Sequence, residues 1–226
     1  MNSTKKQARI AGLLYLLASS PAPFGLIYVP STLIVTGDAT ATANHIRASE
    51  TLLRLGIASE LISAAAFILA VFALYRLFEG VNKQQASLMV TLFVVSVPIS
   101  FLNVLNDVAA LVLVSGADFL SVFDKSQLDT LAYLFLRLHG QGFVVAQIFW
   151  GLWLFPFGIL VIRSGFIPRV LGALLMIAGS GYLVSSFTSL LLPGYAHLVS
   201  QFALVLEFGE LPIVLWLLIW GAKEQS

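Results

Sequence analysis

Cysteine is absent from this 226-residue sequence, which excludes disulfides, thiolate nucleophiles and cysteine metal ligands. Charge is also scarce: only 10% of the residues are Asp, Glu, Lys or Arg, whereas soluble domains contain about 25%. The net charge is +1, so the chain has no general electrostatic attraction for nucleic acid. We therefore expect neither a soluble globular fold nor a nucleic-acid partner.

Apolar residues make up most of the chain. They account for 59% of its residues, and the mean hydropathy is +0.95. A helix of about 20 apolar residues crosses the ~30 Å hydrocarbon core of a bilayer. The long apolar runs therefore predict an all-α, polytopic transmembrane bundle that forms a single domain over residues 1–226, with the lipid bilayer as its partner. The six predicted spans are 10–33, 52–77, 87–114, 140–162, 170–192 and 198–220.

The positions of Lys and Arg predict the orientation of these spans. With the N-terminus in the cytoplasm, the basic residues inside are Lys5, Lys6, Arg9, Arg76, Lys83, Arg163, Arg169 and Lys223. Those outside are Arg47, Arg54, Lys125 and Arg137. The excess on the inside predicts that both termini are cytoplasmic. The first span could instead be a cleaved signal peptide, but its apolar run continues through "FGLIYVPSTLIV" (24–35), which favours a span.

Proline and one long connection modify this scheme. Pro21 and Pro23 lie near the middle of the first span, and each removes a backbone donor, so the first helix is predicted to kink or break. Milder effects are expected at Pro98, Pro156 and Pro212. The connection 115–139 is interpreted either as an amphipathic helix at the membrane interface or as an extension of the fourth span.

Four carboxylates lie inside the predicted spans, although a charged side chain at the bilayer centre costs about 2.5–3.5 kcal/mol. They are Glu60, Asp107, Glu207 and Glu210. Glu207 and Glu210 are three residues apart and Asn103 and Asp107 are four apart, so each pair shares one face of a helix. The cost of lipid exposure predicts that these carboxylates face the interior of the bundle, are neutral or are paired, and Glu207 and Glu210 are expected to face the interior.

Several spans place polar groups in their outer halves, which predicts a polar cavity that opens outward. Glu210 is expected to share this cavity with Glu60 and with the Asn103/Asp107 face. His139 and Gln147 approach it from the fourth span, and Arg54 and His139 are the cations expected near its mouth. The candidates for a ligand or proton site are Glu60, Asn103, Asp107, His139, Gln147, Glu207 and Glu210.

The chemistry of the predicted cavity is left open by the sequence. Paired carboxylates can share a proton, which suits proton-coupled transport or acid–base catalysis. His139 is the best-placed histidine for a metal, but there is no HExxH motif, so metal binding is not assigned. The sequence also lacks a GxSxG motif. No catalytic residue and no cofactor is therefore assigned.

The chain resembles a family of bacterial six-span membrane proteins known as domain of unknown function 4386. The resemblance rests on the order and spacing of segments 9–17, 36–49, 52–61, 73–88, 148–183 and 206–221. It includes the acidic positions Glu60 and Glu210 and the Asp-containing outer loop at Asp38. The resemblance implies six helices in a bacterial inner membrane, and it implies no activity.

Three functional hypotheses follow from the sequence. The favoured one is a protein that binds or moves a small molecule or ion through an outward-facing cavity lined by carboxylates. The second is a membrane-embedded hydrolase, with or without a metal, that acts on a lipid or another amphiphile. The third is a non-catalytic membrane component whose polar residues only hold the bundle together.

Overall fold

The computed structural model describes residues 3–222, and these residues form helices and connecting loops without a strand. Helices suit the apolar runs because a helix satisfies its own backbone hydrogen bonds in lipid. The α-helices are α1 (Ser3–Ser19), α2 (Val29–Leu33), α3 (Ala39–Ala48), α4 (Glu50–Phe78), α5 (Lys83–Val114), α6 (Lys125–Leu152), α7 (Leu154–Ser164), α8 (Arg169–Leu191), α9 (Ala196–Glu207) and α10 (Leu211–Ile219). A π-helix (Phe24–Tyr28) and 3₁₀ turns (Asp118–Leu120, Pro193–Tyr195, Phe208–Glu210) lie between them.

Six helical segments of the described chain are long and apolar enough to cross a membrane, which confirms the predicted number of spans. They are Ser3–Leu33, Glu50–Phe78, Lys83–Val114, Lys125–Ser164, Arg169–Leu191 and Pro193–Ile219. The protein is therefore an all-helical, multi-pass membrane protein. Its N-in, C-in orientation stays a prediction, and Lys223, which contributes to it, lies outside the described residues.

Large apolar side chains cover much of the outer surface of these helices. Ile62 is 60% exposed, Leu102 66% and Phe202 68%. In water such exposure would be unfavourable, because apolar surface is stabilised by removal from water. The exposed apolar surface is therefore suited to contact with lipid.

The first span is interrupted where the two prolines were predicted to break it. Helix α1 ends at Ser19, and the chain bends at Ser20 and Pro21 before it continues as the π-helix and α2. Missing backbone donors at proline explain the change of helix type. The predicted break is confirmed.

The fourth span is longer than predicted, because the segment 125–139 extends it and does not form a separate interfacial helix. Asp124 fixes its start. One carboxylate oxygen of Asp124 accepts a hydrogen bond from the Gln127 backbone N–H at 2.8 Å, and the Gln127 side chain accepts one from the Asp124 backbone N–H at 3.0 Å. Such a reciprocal pair stabilises a helix N-terminus.

The other three prolines have different effects. Pro156 and Pro212 lie in the first turns of α7 and α10, where proline is well tolerated. Each follows an interruption of its span, at Trp153 and at the 3₁₀ turn Phe208–Glu210. Pro98 lies inside α5, which continues through it.

The structure contains two compact units. The first unit comprises the described residues within 1–18, 65–98 and 144–226, and the second comprises Ser19–Ala64 and Ile99–Phe143. The interpretation of the chain as one domain stays a prediction.

The first unit has an aromatic core and close helix contacts. Trp153 stacks on Phe157 with a ring-centroid distance of 5.4 Å. A Cβ atom on Gly158 would lie 2.6 Å from the carbonyl oxygen of Gly172. Glycine is therefore required where α7 meets α8.

The second unit has a smaller aliphatic core that supports the site described below. Leu33, Ile46 and Leu53 are buried against Leu111 and Leu136. These side chains come from α2 to α6, so the core fixes the halves of α4, α5 and α6 that belong to this unit.

Candidate functional site

Three ionisable side chains meet in the second unit, and each comes from a different helix: Glu60 from α4, Asp107 from α5 and His139 from α6. Nδ1 of His139 lies 2.5 Å from Oδ2 of Asp107, and Nε2 lies 3.2 Å from Oε2 of Glu60. Asp107 and His139 are buried, at 4% and 9% exposure. We call these three residues the acid–imidazole cluster.

The cluster needs protons between its members. Each contact joins a ring nitrogen to a carboxylate oxygen, and one of the two atoms must carry a hydrogen for the contact to be attractive. Either the ring is protonated on both nitrogens, or one carboxyl group carries a proton. The arrangement can therefore hold, exchange or pass on a proton. It can also hold another cation in place of that proton.

Close backbone approaches position these helices. The side-chain amide of Asn103 donates a hydrogen bond to the backbone carbonyl of His139 at 2.9 Å, and Gly142 lies so close that a Cβ there would collide with the Asn103 side chain. A Cβ on Gly25 would lie 2.8 Å from Cγ of Glu60. Asn103 thus holds α6 against α5, and Gly25 lets the first span approach α4 beside the cluster.

A cavity of about 180 Å³ lies beside the cluster within the second unit. Its walls are mostly apolar, and Glu60, Asp107 and His139 are its ionisable lining residues. The other lining residues are Gly25, Leu26, Val29, Pro30, Leu33, Ile34, Leu53, Gly56, Ile57, Leu136, Gly140 and Phe143. The cavity can therefore accept a small molecule or ion whose charged or polar part contacts the cluster.

The structure separates the predicted site residues into two groups. Glu60, Asp107 and His139 line the cavity, while Asn103 acts on the backbone beside it. Gln147, Glu207 and Glu210 belong to the first unit, and none of them lines the cavity. Because Glu60 and Glu210 belong to different units, the expectation that they share one cavity stays a prediction. Spacing along one helix showed which side chains share a face, but it did not show which helix packs against that face.

Glu210 has partners of its own in the first unit. The hydroxyl of Tyr15 donates a short hydrogen bond to Oε2 of Glu210, and Tyr182 is near enough to interact with this carboxylate. Tyr15 is buried at 2% exposure. Neither tyrosine was predicted as a site residue, although a phenol group inside an apolar span is a signal that a hydrogen-bond partner is needed.

Three cations of the second unit, Arg47, Arg54 and Lys125, have acidic partners other than the cluster. Arg54, expected at the mouth of the cavity, donates hydrogen bonds to Glu50 at 2.8 and 2.5 Å. Asp129, which sequence analysis did not assign a role, is 1% exposed and contacts Arg47 at 2.5 Å and Lys125 at 2.8 Å. The acid at Asp129 is thus fully paired, whereas the acids of the cluster have only the imidazole among their ion-pair partners in the described chain.

Comparison with known proteins identifies relatives but no activity. No solved structure matches the chain. A protein from Archaeoglobus fulgidus, described as "Uncharacterized protein", is 39% identical over 79 residues, which cover 35% of this chain and 46% of that protein. The chain thus aligns with about half the length of this relative. The family described as Domain of unknown function (DUF4386) matches residues 10–221. Since this match covers nearly the whole sequence, the chain belongs to the DUF4386 family.

Proposed function

We propose that this protein binds a small cation in the cavity of the second unit, and that it does so from the outer face of a bacterial inner membrane. The observation that carries the proposal is the charge of the lining: two carboxylates and one imidazole, with no Lys or Arg among the described residues that line the cavity. If both carboxylates are ionised, the three groups have a net negative charge even when the imidazole is protonated. A bound cation would neutralise this net negative charge.

The cost of charge in a membrane supports the same proposal. An ionised side chain deep in the bilayer is destabilising by about 2.5–3.5 kcal/mol on insertion scales, and buried charges are found paired or bound to ions. Asp129 in the same unit shows how a purely structural acid is accommodated, since two basic side chains contact it. The cluster has more acid than base, which favours a ligand that supplies positive charge.

The cavity walls restrict the cation to a small one. The volume is about 180 Å³, and Leu26, Val29, Ile57 and Phe143 are among the apolar lining residues. Two kinds of ligand carry the required positive charge: a metal ion and an organic ammonium group. An ammonium ion with a short alkyl chain would place its N–H donors on the carboxylates and its chain on the walls.

The test is a binding measurement with n-butylammonium chloride, using purified protein in lipid nanodiscs in the presence of a chelator. We expect saturable binding, and we expect Glu60→Gln to weaken it at least about tenfold, since the change removes one charge of an ion pair that excludes water. Glu207→Gln is the matched control, because it makes the same change in a span of the first unit, and it should leave binding unchanged.

n-Butanol provides a second control, since it has the same alkyl chain without the charge and should bind much more weakly. Equal binding of the alcohol and the ammonium ion, or equal effects of Glu60→Gln and Glu207→Gln, would contradict an ammonium ligand. If a metal ion, tested separately below, also failed to bind, the proposed function would be wrong. The cluster would then only hold the helices together.

A further inference from the structure

We propose that the acid–imidazole cluster is a binding site for a divalent metal ion of the zinc type, with Nε2 of His139 and a carboxylate oxygen of Glu60 as ligands and Asp107 as a positioning residue. This inference rests on the proposed function, because it names the cation. The three residues offer ligand atoms that all lie within 4.8 Å of one another.

The distance between the two proposed ligand atoms fits a metal. Zinc bonds to imidazole nitrogen and to carboxylate oxygen are both about 2.0–2.2 Å long, and tetrahedral geometry then separates the two ligand atoms by about 3.3–3.5 Å. Nε2 of His139 and Oε2 of Glu60 are 3.2 Å apart. An ion can therefore occupy the space beside both atoms with little movement of either helix.

Asp107 holds the imidazole ring of His139 in the tautomer that can bind a metal. Its Oδ2 lies 2.5 Å from Nδ1 of His139, which favours the tautomer with hydrogen on Nδ1. In that tautomer Nε2 carries a lone pair directed toward the Glu60 carboxylate, and two acceptors in contact repel unless a proton or a cation lies between them. A carboxylate that holds the second ring nitrogen of a metal-bound histidine is the usual outer partner in such sites.

The ligand types decide which metal is expected. One imidazole nitrogen with carboxylate oxygens suits zinc and its first-row neighbours, whereas Mg²⁺ and Ca²⁺ prefer oxygen alone. Because both proposed ligand residues line the cavity, the coordination positions that they leave open can be filled from it by water or by an oxygen atom of a ligand.

The experiment is a metal titration of the protein purified in nanodiscs and stripped with a chelator. Zn²⁺ binding is measured by competition with a metallochromic dye, and Co²⁺ supplies a d–d absorption spectrum that reports the coordination geometry. We expect one Zn²⁺ per chain and a Co²⁺ spectrum with an imidazole ligand. Failure of the wild-type protein to bind either ion would overturn the metal site without any need for variants.

Variants test the assignment of each ligand. His139→Asn and Glu60→Gln should abolish the single Zn²⁺ site, while the matched controls His45→Asn, at an exposed histidine of α3, and Glu207→Gln should retain it. Retention of the site in both His139→Asn and Glu60→Gln would mean that the metal binds elsewhere, and the proposal would be wrong.

Asp107 has a distinct expected effect because it acts through the ring. Asp107→Ala should weaken Zn²⁺ binding by about 10–100-fold, and Asp107→Asn should restore part of the affinity, since the amide oxygen still accepts the Nδ1 hydrogen. The Co²⁺ spectrum of Asp107→Asn should keep its geometry. If Asp107→Asn and Asp107→Ala lost affinity equally and changed the spectrum, Asp107 would be a ligand and its assignment as a positioning residue would be wrong.

Failure of this inference is distinguishable from failure of the proposed function. Glu60-dependent binding of n-butylammonium without Zn²⁺ binding would refute the metal site and leave a cation-binding cavity. Absence of both would refute both. Zn²⁺ binding that depends on Glu60 and His139 would support both, whatever the result for the ammonium ion.

Discussion

Glu60 and Glu210 have the same side chain, and each lies in an apolar span, but their partners give them different chemistry. Glu60 faces an imidazole nitrogen at 3.2 Å beside a cavity. Glu210 accepts a hydrogen bond from the phenol group of Tyr15 and is not among the residues that line that cavity. A phenol supplies a neutral donor from within the protein, and we therefore expect Glu210 to help hold helices together.

Removal of the Glu210 acceptor should therefore destabilise the protein. Glu210→Leu removes the carboxylate that accepts the hydrogen bond of the buried Tyr15 hydroxyl, and a buried donor left unsatisfied costs about 1–3 kcal/mol. Glu210→Gln keeps a carbonyl oxygen that can accept, so it should be milder. The measurement is the thermal unfolding midpoint of each purified variant in nanodiscs. Glu207→Leu is the control, and an equal loss of midpoint in Glu207→Leu and Glu210→Leu would contradict this role.

The sequence identified the acids of the site but only part of their surroundings. Composition made Glu60, Asp107 and Glu210 stand out, because each lies in a run that is otherwise apolar. The partner of each acid depends on how helices far apart in the chain pack together. Helical spacing gives no information on that packing, so Tyr15 was missed as the partner of Glu210.

At the scale of helices, the ends and interruptions are the informative features. The first span changes helix type after Pro21 and Pro23, the fourth is interrupted at Trp153 and the sixth at Phe208–Glu210. Proline made the first of these predictable. For the segment before the fourth span, the sequence predicted two alternatives, an interfacial helix or an extension of the span. The Asp124 and Gln127 pair at the start of α6 is visible in the sequence as a capping signal that favours a helix beginning at Lys125.

The Asp124 cap should make stability depend on pH. Hydrogen bonds from the Gln127 backbone N–H and from the Ser126 hydroxyl hold the pKa of the Asp124 carboxyl below its usual value. A folded pKa below the unfolded one means that this stabilisation is complete above the unfolded pKa of about 3.9. It is lost as the pH falls through the folded value.

The corresponding experiment compares Asp124→Ala with the wild type. At pH 7 the variant should have a lower thermal midpoint because the first turn of α6 loses its cap, and the difference should shrink as the pH falls below about 4. Asp118→Ala, at another exposed acid of the same connection, should show a smaller difference at pH 7. A difference between wild type and Asp124→Ala that stayed constant down to pH 2.5 or so would contradict the role of the ionised carboxylate.

At the scale of the whole molecule, the number of spans was predictable and the division into two units was not. Span number follows from the length of apolar runs, which is a local property of the sequence. The units depend on contacts between segments that are far apart in the chain, such as 19–64 with 99–143. Family membership agrees with the resemblance found in the sequence, and it covers residues 10–221.

Orientation in the membrane is the remaining prediction at this scale. The excess of Lys and Arg on one side predicts cytoplasmic termini and an external 38–47 loop. Reporter fusions after Ser226 and within that loop measure both positions, with alkaline phosphatase active outside the cytoplasm and a fluorescent protein active inside it. A phosphatase signal from the C-terminal fusion, or fluorescence from the loop fusion, would reverse the predicted orientation.

The acid–imidazole cluster also has a consequence for biosynthesis, because α4, α5 and α6 supply its members in chain order: Glu60, Asp107 and then His139. Synthesis proceeds from the N-terminus, so both acids are made before the ring that contacts them. A nascent chain that has not reached residue 139 carries two carboxylates in apolar segments without this partner, which disfavours their release into lipid. We therefore expect α4 and α5 to stay beside the insertion machinery until α6 emerges, so that the cavity forms in the same step that completes the insertion of these helices.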